Sequence, residues 1–185
     1  MGGKKREHFI VDGYNLIYAA DDLTAMFKDE TDGRDGLAAA RDKLIHMVSE
    51  YGAYEQYDVT IVFDAPNTLD EEQVQAVGDY CRVIYTKAGE SADSRIERLT
   101  YELARLKKIV HVVSSDGTIE SVILGAGGYR IPSREFMSAI RRTKKELRRD
   151  YLSNVTLPLV RHDVSTRLDS KTLSALDKMR RGEEI

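Results

Sequence analysis

The sequence predicts an α/β fold: a mostly parallel sheet with helices on both of its faces. Three observations lead there. Short apolar or β-branched runs alternate with longer stretches of helical spacing. The runs lack polar alternation, as strands buried on both faces do. The chain of 185 residues suits one domain with a substantial core and is short for two.

The elements follow in order. His8 to Val11 is a short apolar run that reads as a buried strand. Leu37, Ala40, Leu44, Val48 and Tyr51 recur at helical spacing, and Gly52 stands just past them as a stop. Asp58 to Phe63 (D-V-T-I-V-F) is a second strand, closed by Asp64. After an acidic, weakly periodic link, Arg82 to Tyr85 forms a third. Ser91 to Lys108 carries a stripe of Ala92, Ile96, Leu99, Leu103 and Leu106, and its closing lysines suit a helix C-terminus. Ile109 to Val113 is a fourth strand. Pro132 and Ser133 then open a helix with Phe136, Ile140, Leu147 and Tyr151 on one side. Residues 1–152 are expected to form the main domain. Residues 153–185 form a C-terminal extension, with a short helix from Ser170 to Arg181 packing on the same domain.

Composition narrows the setting. With 42% hydrophobic and 32% charged residues, wholesale disorder is excluded. A single cysteine, Cys81, has no disulfide partner and no zinc spacing, so a reducing interior is the default. No apolar signal core and no run near the ~20 residues of a membrane span occurs. The expected location is the cytoplasm. A net charge of -3 hides an asymmetry: residues 130–150 hold eight Lys or Arg against three acids. That pattern suits a polyanion docking on one face with acids gathered elsewhere, and equally a solvated helix face.

The acids carry the chemistry. In V-D-G-Y-N, Asp-Gly between apolar stretches fits a tight hairpin turn or a strand end opening into a cleft. The strand–helix alternation favours the strand end. Asp12, Asp64 and Asp116 each follow a strand, so a parallel arrangement brings all three to one edge of the sheet. Glu90 and Asp93 flank the start of the Ser91 helix. Oxygen donors converging in this way suit Mg²⁺ or Mn²⁺. Each acid taken singly also fits a helix cap or turn former, and Asn15 fits a cap as well as an orienting amide. The four histidines are scattered, and His111 inside an apolar strand reads as a core residue. L-G-A-G-G at 124–128 lacks dinucleotide-loop spacing and reads as a helix-ending turn. A phosphatase with a nucleophilic Asp would show D-x-D, which D-G-Y-N does not supply.

The strings V-D-G-Y-N-L-I, A-R-D-K-L, V-F-D-A, V-I-Y-T-K-x-x-E-S-A-D-x-R-I-E, S-S-D and a late R-R-G occur in that order. Together they resemble the YacP branch of the NYN-domain nucleases, within the wider PIN-like group. The resemblance implies a three-layer α/β/α domain that binds divalent metal through clustered acids and cuts single-stranded RNA endonucleolytically. The substrate it implies is messenger RNA in the ribosomal decoding (A) site, cut to leave a 5′-phosphate and a 3′-hydroxyl. Motif by motif, it maps the metal acids onto Asp12, Asp93 and Asp116, with Asn15 beside them and Asp64 in support; Glu90 joins the metal candidates. Candidate RNA contacts are Lys87, Arg95, Arg134, Arg141, Arg142, Lys145, Arg148 and Arg149, with Tyr14 and Tyr18 for base stacking. RNA and the ribosome are the expected partners, and neither a membrane nor an organic cofactor is expected. The rival reading is a non-catalytic RNA- or ribosome-binding module that has kept the fold. Clustered negative charge argues against it, because a binder of phosphate gains nothing from carboxylates.

Overall fold

The computed structural model describes residues 7–28, 33–64 and 70–154. Along the chain these form β1 (Glu7–Asp12), α1 (Gly13–Ala19), α2 (Asp21–Lys28), α3 (Gly33–Glu55), β2 (Asp58–Phe63) and β3 (Gln73–Val77). Then come β4 (Cys81–Tyr85), α4 (Ala92–Arg105), β5 (Ile109–Val113), α5 (Glu120–Gly125), β6 (Tyr129–Ile131) and α6 (Ser133–Asn154). Two compact units divide the chain, residues 1–146 and 147–185, and the sheet belongs to the first. The helix expected at 170–181 lies outside the described residues.

One six-stranded sheet has the order β3-β4-β2-β1-β5-β6. All neighbours pair parallel except β3, which runs antiparallel to β4 at one edge. Asp12 therefore ends a central parallel strand, and Asp-Gly is not a hairpin turn. Side chains alternate across the sheet as the strand period requires. Phe9, Val11, Ile61, Phe63 and Val83 pack with α1, α2, α3 and the start of α6 in one buried layer. Ile10, Val62, Ile84, Val110 and Val112 pack with Ile96, Leu99 and Leu103 of α4 and Ile123 of α5 in the other. The result is the expected three-layer α/β/α arrangement.

Departures from the sequence expectation have local causes. Gly52 does not stop α3, which runs on to Glu55 and ends where Gln56 takes a positive φ of 59°. The glycine is there for space, since a Cβ would lie 2.9 Å from Val59 Cγ2 and 3.2 Å from the Tyr57 carbonyl oxygen. Strand β3 falls in the acidic link; exposed along nearly its whole length, it has no buried face to leave an apolar signal. Elements α1, α5 and β6 are too short for periodicity to mark. The turn after α5 is as expected: Gly127 has a φ of +91°, and Gly128 N–H donates to the Ile123 carbonyl at 2.9 Å. His111 is likewise structural, bonded to Glu7 at 2.9 Å and stacked on Phe9. Among the described residues no helix is long and apolar enough to cross a membrane.

Candidate active site

Because β2, β1 and β5 are parallel neighbours, their carboxyl ends share one edge, and each delivers an acid there. Asp12 caps α1, its Oδ1 accepting from Asn15 N–H at 3.0 Å. Asp64 Oδ1 accepts from Ala92 N–H at 2.6 Å, tying the end of β2 to the start of α4. Asp116 closes its own turn, with Oδ1 accepting from Thr118 N–H and Thr118 Oγ1, both at 2.8 Å. Asp12 and Asp116 thus each spend one oxygen on local backbone, the helix-cap and turn roles that their sequence context also allowed, whereas Asp64 spends one on the distant start of α4. Asp93 stands in the first turn of α4, which Ser91 caps through Ser94 N–H at 3.2 Å.

Electrostatics shows that these acids sense one another. Burial lifts the Asp12 carboxyl to about 6; Asn15 N–H opposes the rise, and Asp93, Asp64 and Asp116 add to it. Asp93 is raised too, by burial first and then by Asp116 and Asp64. Asp116 is held below its usual range by the two Thr118 hydrogen bonds. Uncompensated like charge at this edge is what a hard divalent cation relieves. Among the described residues no three acidic, His or Cys side chains form a ready-made ion cage. The donors nonetheless fit Mg²⁺, which is held by one or two carboxylates and keeps several of its waters.

Asn15 has an unambiguous orientation. Its Oδ1 accepts from Ser115 N–H at 2.9 Å and from Ser133 Oγ at 2.8 Å. A backbone N–H can only donate, so the oxygen faces Ser115 and the amide NH₂ remains the available donor. Ser133 is fully buried, and its N–H donates to Ser115 Oγ at 3.3 Å. This seam joins α1, the segment after β5 and the start of α6. The sequence analysis took Ser133 only as a helix opener and did not single out Ser115, since Asn15 and Ser133, 118 positions apart, leave no local signal of their pairing.

Gly13 follows Asp12 because Phe63 leaves no room for a side chain. A Cβ there would come under 3.0 Å from Phe63 Cε1, Cδ1 and Cζ. The Phe63 ring stacks on Tyr85 at 5.7 Å and meets Tyr14 edge-on at 5.1 Å. Tyr14 is half-buried in this group, and its hydroxyl accepts from Arg41 Nη1 at 3.3 Å. Arg41 is thus a cation beside the Asn15 turn that the sequence analysis did not single out. Of the two stacking candidates Tyr18 is the exposed one, at 60%.

Two expected residues are engaged elsewhere. Arg95 is 9% exposed and forks onto Glu72, through Nε to Oε2 and through Nη2 to Oε1 at 3.2 Å, so it does not face an RNA strand. Its place on the inner side of α4 is what the helical period dictates three residues after Ala92 and four before Leu99. Glu90 Oε1 is held by Arg98 Nη1 at 2.7 Å, which removes that oxygen from the metal candidates. On the basic helix, Arg141 pairs with Asp22 at 2.6 Å, whereas Arg134, Arg142 and Lys145 are exposed, as is Lys87. Arg148 and Arg149 belong to the second unit, and Arg149 lies 3.8 Å from Asp150.

Residues 9–181 match the family described as the YacP-like NYN domain. The protein YacP of Bacillus subtilis (strain 168) is 31% identical over 174 residues, spanning 94% of this chain and 96% of that protein. Two crystal structures of Rae1 (YacP) from Bacillus subtilis superpose with a TM-score of 0.67 each. One is at 29% identity over 95% of both chains, and the other, of a single-substitution mutant, at 27% over 94% of this chain and 99% of that one. These likenesses carry a nuclease fold and an RNA-related role. The chain belongs to the YacP-like NYN domain family.

Proposed function

We propose that the protein is a divalent-metal-dependent endoribonuclease that cuts single-stranded RNA, with messenger RNA in the ribosomal A site as its substrate. The observation that carries the reading is the gathering of Asp12, Asp64, Asp93 and Asp116 at the carboxyl edge of the parallel sheet, where burial first, and then the other three acids, raise the Asp12 carboxyl. Their cap and turn hydrogen bonds do not require the acids to gather at one place, whereas cation-assisted attack on a phosphodiester does. Asp12, Asp93 and Asp116 would hold Mg²⁺ or Mn²⁺. Bound there, the ion supplies water activation and charge neutralisation at the phosphate.

This chain's own residues do the rest. Asp64 fixes the start of α4 through Ala92 and so positions Asp93. Asn15 offers its amide as a donor to the scissile phosphate or to the attacking water, its aim set by Ser115 and Ser133. Arg134, Arg142, Lys145 and Lys87 give sequence-blind, salt-sensitive hold on the RNA backbone. The cytoplasm, where messengers are translated, is the fitting location.

The test is cleavage of a 5′-labelled messenger, free and on translating ribosomes, with Mg²⁺ and after EDTA. Metal-dependent cutting that EDTA stops and Mg²⁺ restores is the expected result, with ribosome dependence identifying the substrate. Intact RNA under every condition, with ribosome binding retained, would hand the fold to the binding-module reading. Ser133→Ala is expected to lower kcat about tenfold with KM little changed, since only the aim of Asn15 is lost. A stability loss of ~1 kcal/mol without a change in kcat would make Ser133 merely structural.

A further inference from the structure

The opposite edge of the sheet carries a row of polar side chains that the nuclease reading does not use. Arg82 Nε donates to Thr60 Oγ1 at 2.8 Å, and Thr60 Oγ1 lies 2.8 Å from His8 Nε2. The three sit on β4, β2 and β1, on the face that continues into Ile84, Val62 and Ile10. His8 is 3% exposed and Thr60 is fully buried. Packing alone favours apolar side chains at such positions, because buried polar groups must be fully bonded to break even.

They are not fully bonded. His8 Nδ1 is buried without a hydrogen-bond partner. Arginine can only donate, so Thr60 accepts from Arg82, and with one proton and a second lone pair left its hydroxyl pairs with His8 Nε2 in either tautomer of the ring. In the tautomer in which Thr60 donates to Nε2, the imidazole proton sits on Nδ1, a buried donor in need of an acceptor. Burial, with Arg82 and Lys108 nearby, lowers the His8 pKa to about 4, so the ring is neutral in the cell.

A cavity of about 310 Å³ lies here, lined by His8, Asp58, Asp79, Tyr80, Arg82 and Lys108 among others. That volume is at the lower end of small-molecule sites. Lys108 is compensated by Asp58 at 3.2 Å. Arg82 is half-buried and forms no ion pair among the described residues. Asp79 is exposed. Two cations against two acids give no net pull on an extended polyanion such as an RNA backbone, whereas a single small head group can meet the Arg82 guanidinium locally while Asp58 holds Lys108.

We infer that this cavity is a second binding site, taking a small molecule with one phosphate or carboxylate head held by the Arg82 fork and the Nδ1–H of His8. The planar guanidinium matches two oxygens of either head. Asp79 calls for a ligand whose other end is neutral or donates hydrogen bonds. The site lies at the amino ends of the strands whose carboxyl ends bear the acids, so occupancy need not block RNA.

The test follows backbone amide shifts of the full chain titrated with inorganic phosphate and, separately, succinate, to about 10 mM, where millimolar binding shows. Shifts at residues 8 and 78–82 that saturate with either probe support the site, and the probe that binds names the head group. Arg82→Gln should weaken that binding at least tenfold while leaving phosphate-induced shifts at residues 134–145 unchanged. His8→Gln, which keeps a polar partner for Thr60, is the second variant should the first fail to fold, and a loss of about fivefold is expected. No shift at 78–82 with either probe, or wild-type affinity in a folded variant, would overturn the assignment.

Discussion

Asp12→Asn is expected to abolish RNA cleavage, by a thousandfold or more, and at the same time to make the metal-free protein more stable. The first effect removes a carboxylate from the proposed ion site, and such a loss corresponds to ~4 kcal/mol of transition-state stabilisation. The fold should survive, because asparagine caps a helix as well as aspartate does and can still accept from Asn15 N–H. The second effect follows from linkage. The Asp12 pKa rises from 3.8 to about 6 on folding, so the folded state holds its proton more tightly than the unfolded chain. The resulting stabilisation is fully present below the unfolded value and is lost as pH rises through the folded value. At neutral pH the charge costs the native state up to ~3 kcal/mol, and ~1–2 kcal/mol after allowance for the partial exposure of Asp12. Urea unfolding in EDTA should therefore find the variant more stable near neutrality and little different near pH 4. Equal stability at both pH values would mean that the acids do not strain the native state.

Gly13→Ala should lower stability by about 2–4 kcal/mol, through overpacking against a ring that has nowhere to go. Phe63 is fully buried between Tyr85 and Tyr14, and the added methyl would lie under 3.0 Å from three of its atoms. The sign is diagnostic. Gly13 is helical, and helix propensity alone favours alanine by ~1 kcal/mol. A stabilised variant would therefore refute the packing account. Phe63→Leu combined with Gly13→Ala should recover part of the loss, the non-additivity expected of residues in contact.

What the sequence disclosed follows from where the signal lives. The strands β2 and β5 and the acids that follow them could be placed because buried parallel strands are β-branched runs with abrupt polar ends. The stripe of α4 could be placed because Ala92, Ile96, Leu99 and Leu103 recur on one face, whereas Leu106, counted with them, lies past the end of the helix at Arg105 and is exposed. Edge strand β3 left no such mark, since it buries neither face. The shared sheet edge of Asp12, Asp64, Asp93 and Asp116 was readable from their places at element ends, while the Asn15, Ser115 and Ser133 seam was not, because it is closed by tertiary contacts between distant segments. Arg95 and Glu90 show the opposite limit. Their charges were visible, but Glu72 and Arg98, which engage them, could be identified only once the chain was folded.

The strand order has a consequence for a chain still emerging from a ribosome. β2 and β4, which flank β1 on one side, are synthesised before β5 and β6, which lie on the other. A nascent chain already holds Asp12, Asp64 and Asp93 while the opposite flank of β1 is bare and Asp116 has yet to be made. Asn15 then lacks both of the serines that aim its amide. For a protein proposed to cut messengers, synthesis is its own safety interval: most of the coding message has been read before the product can attack it.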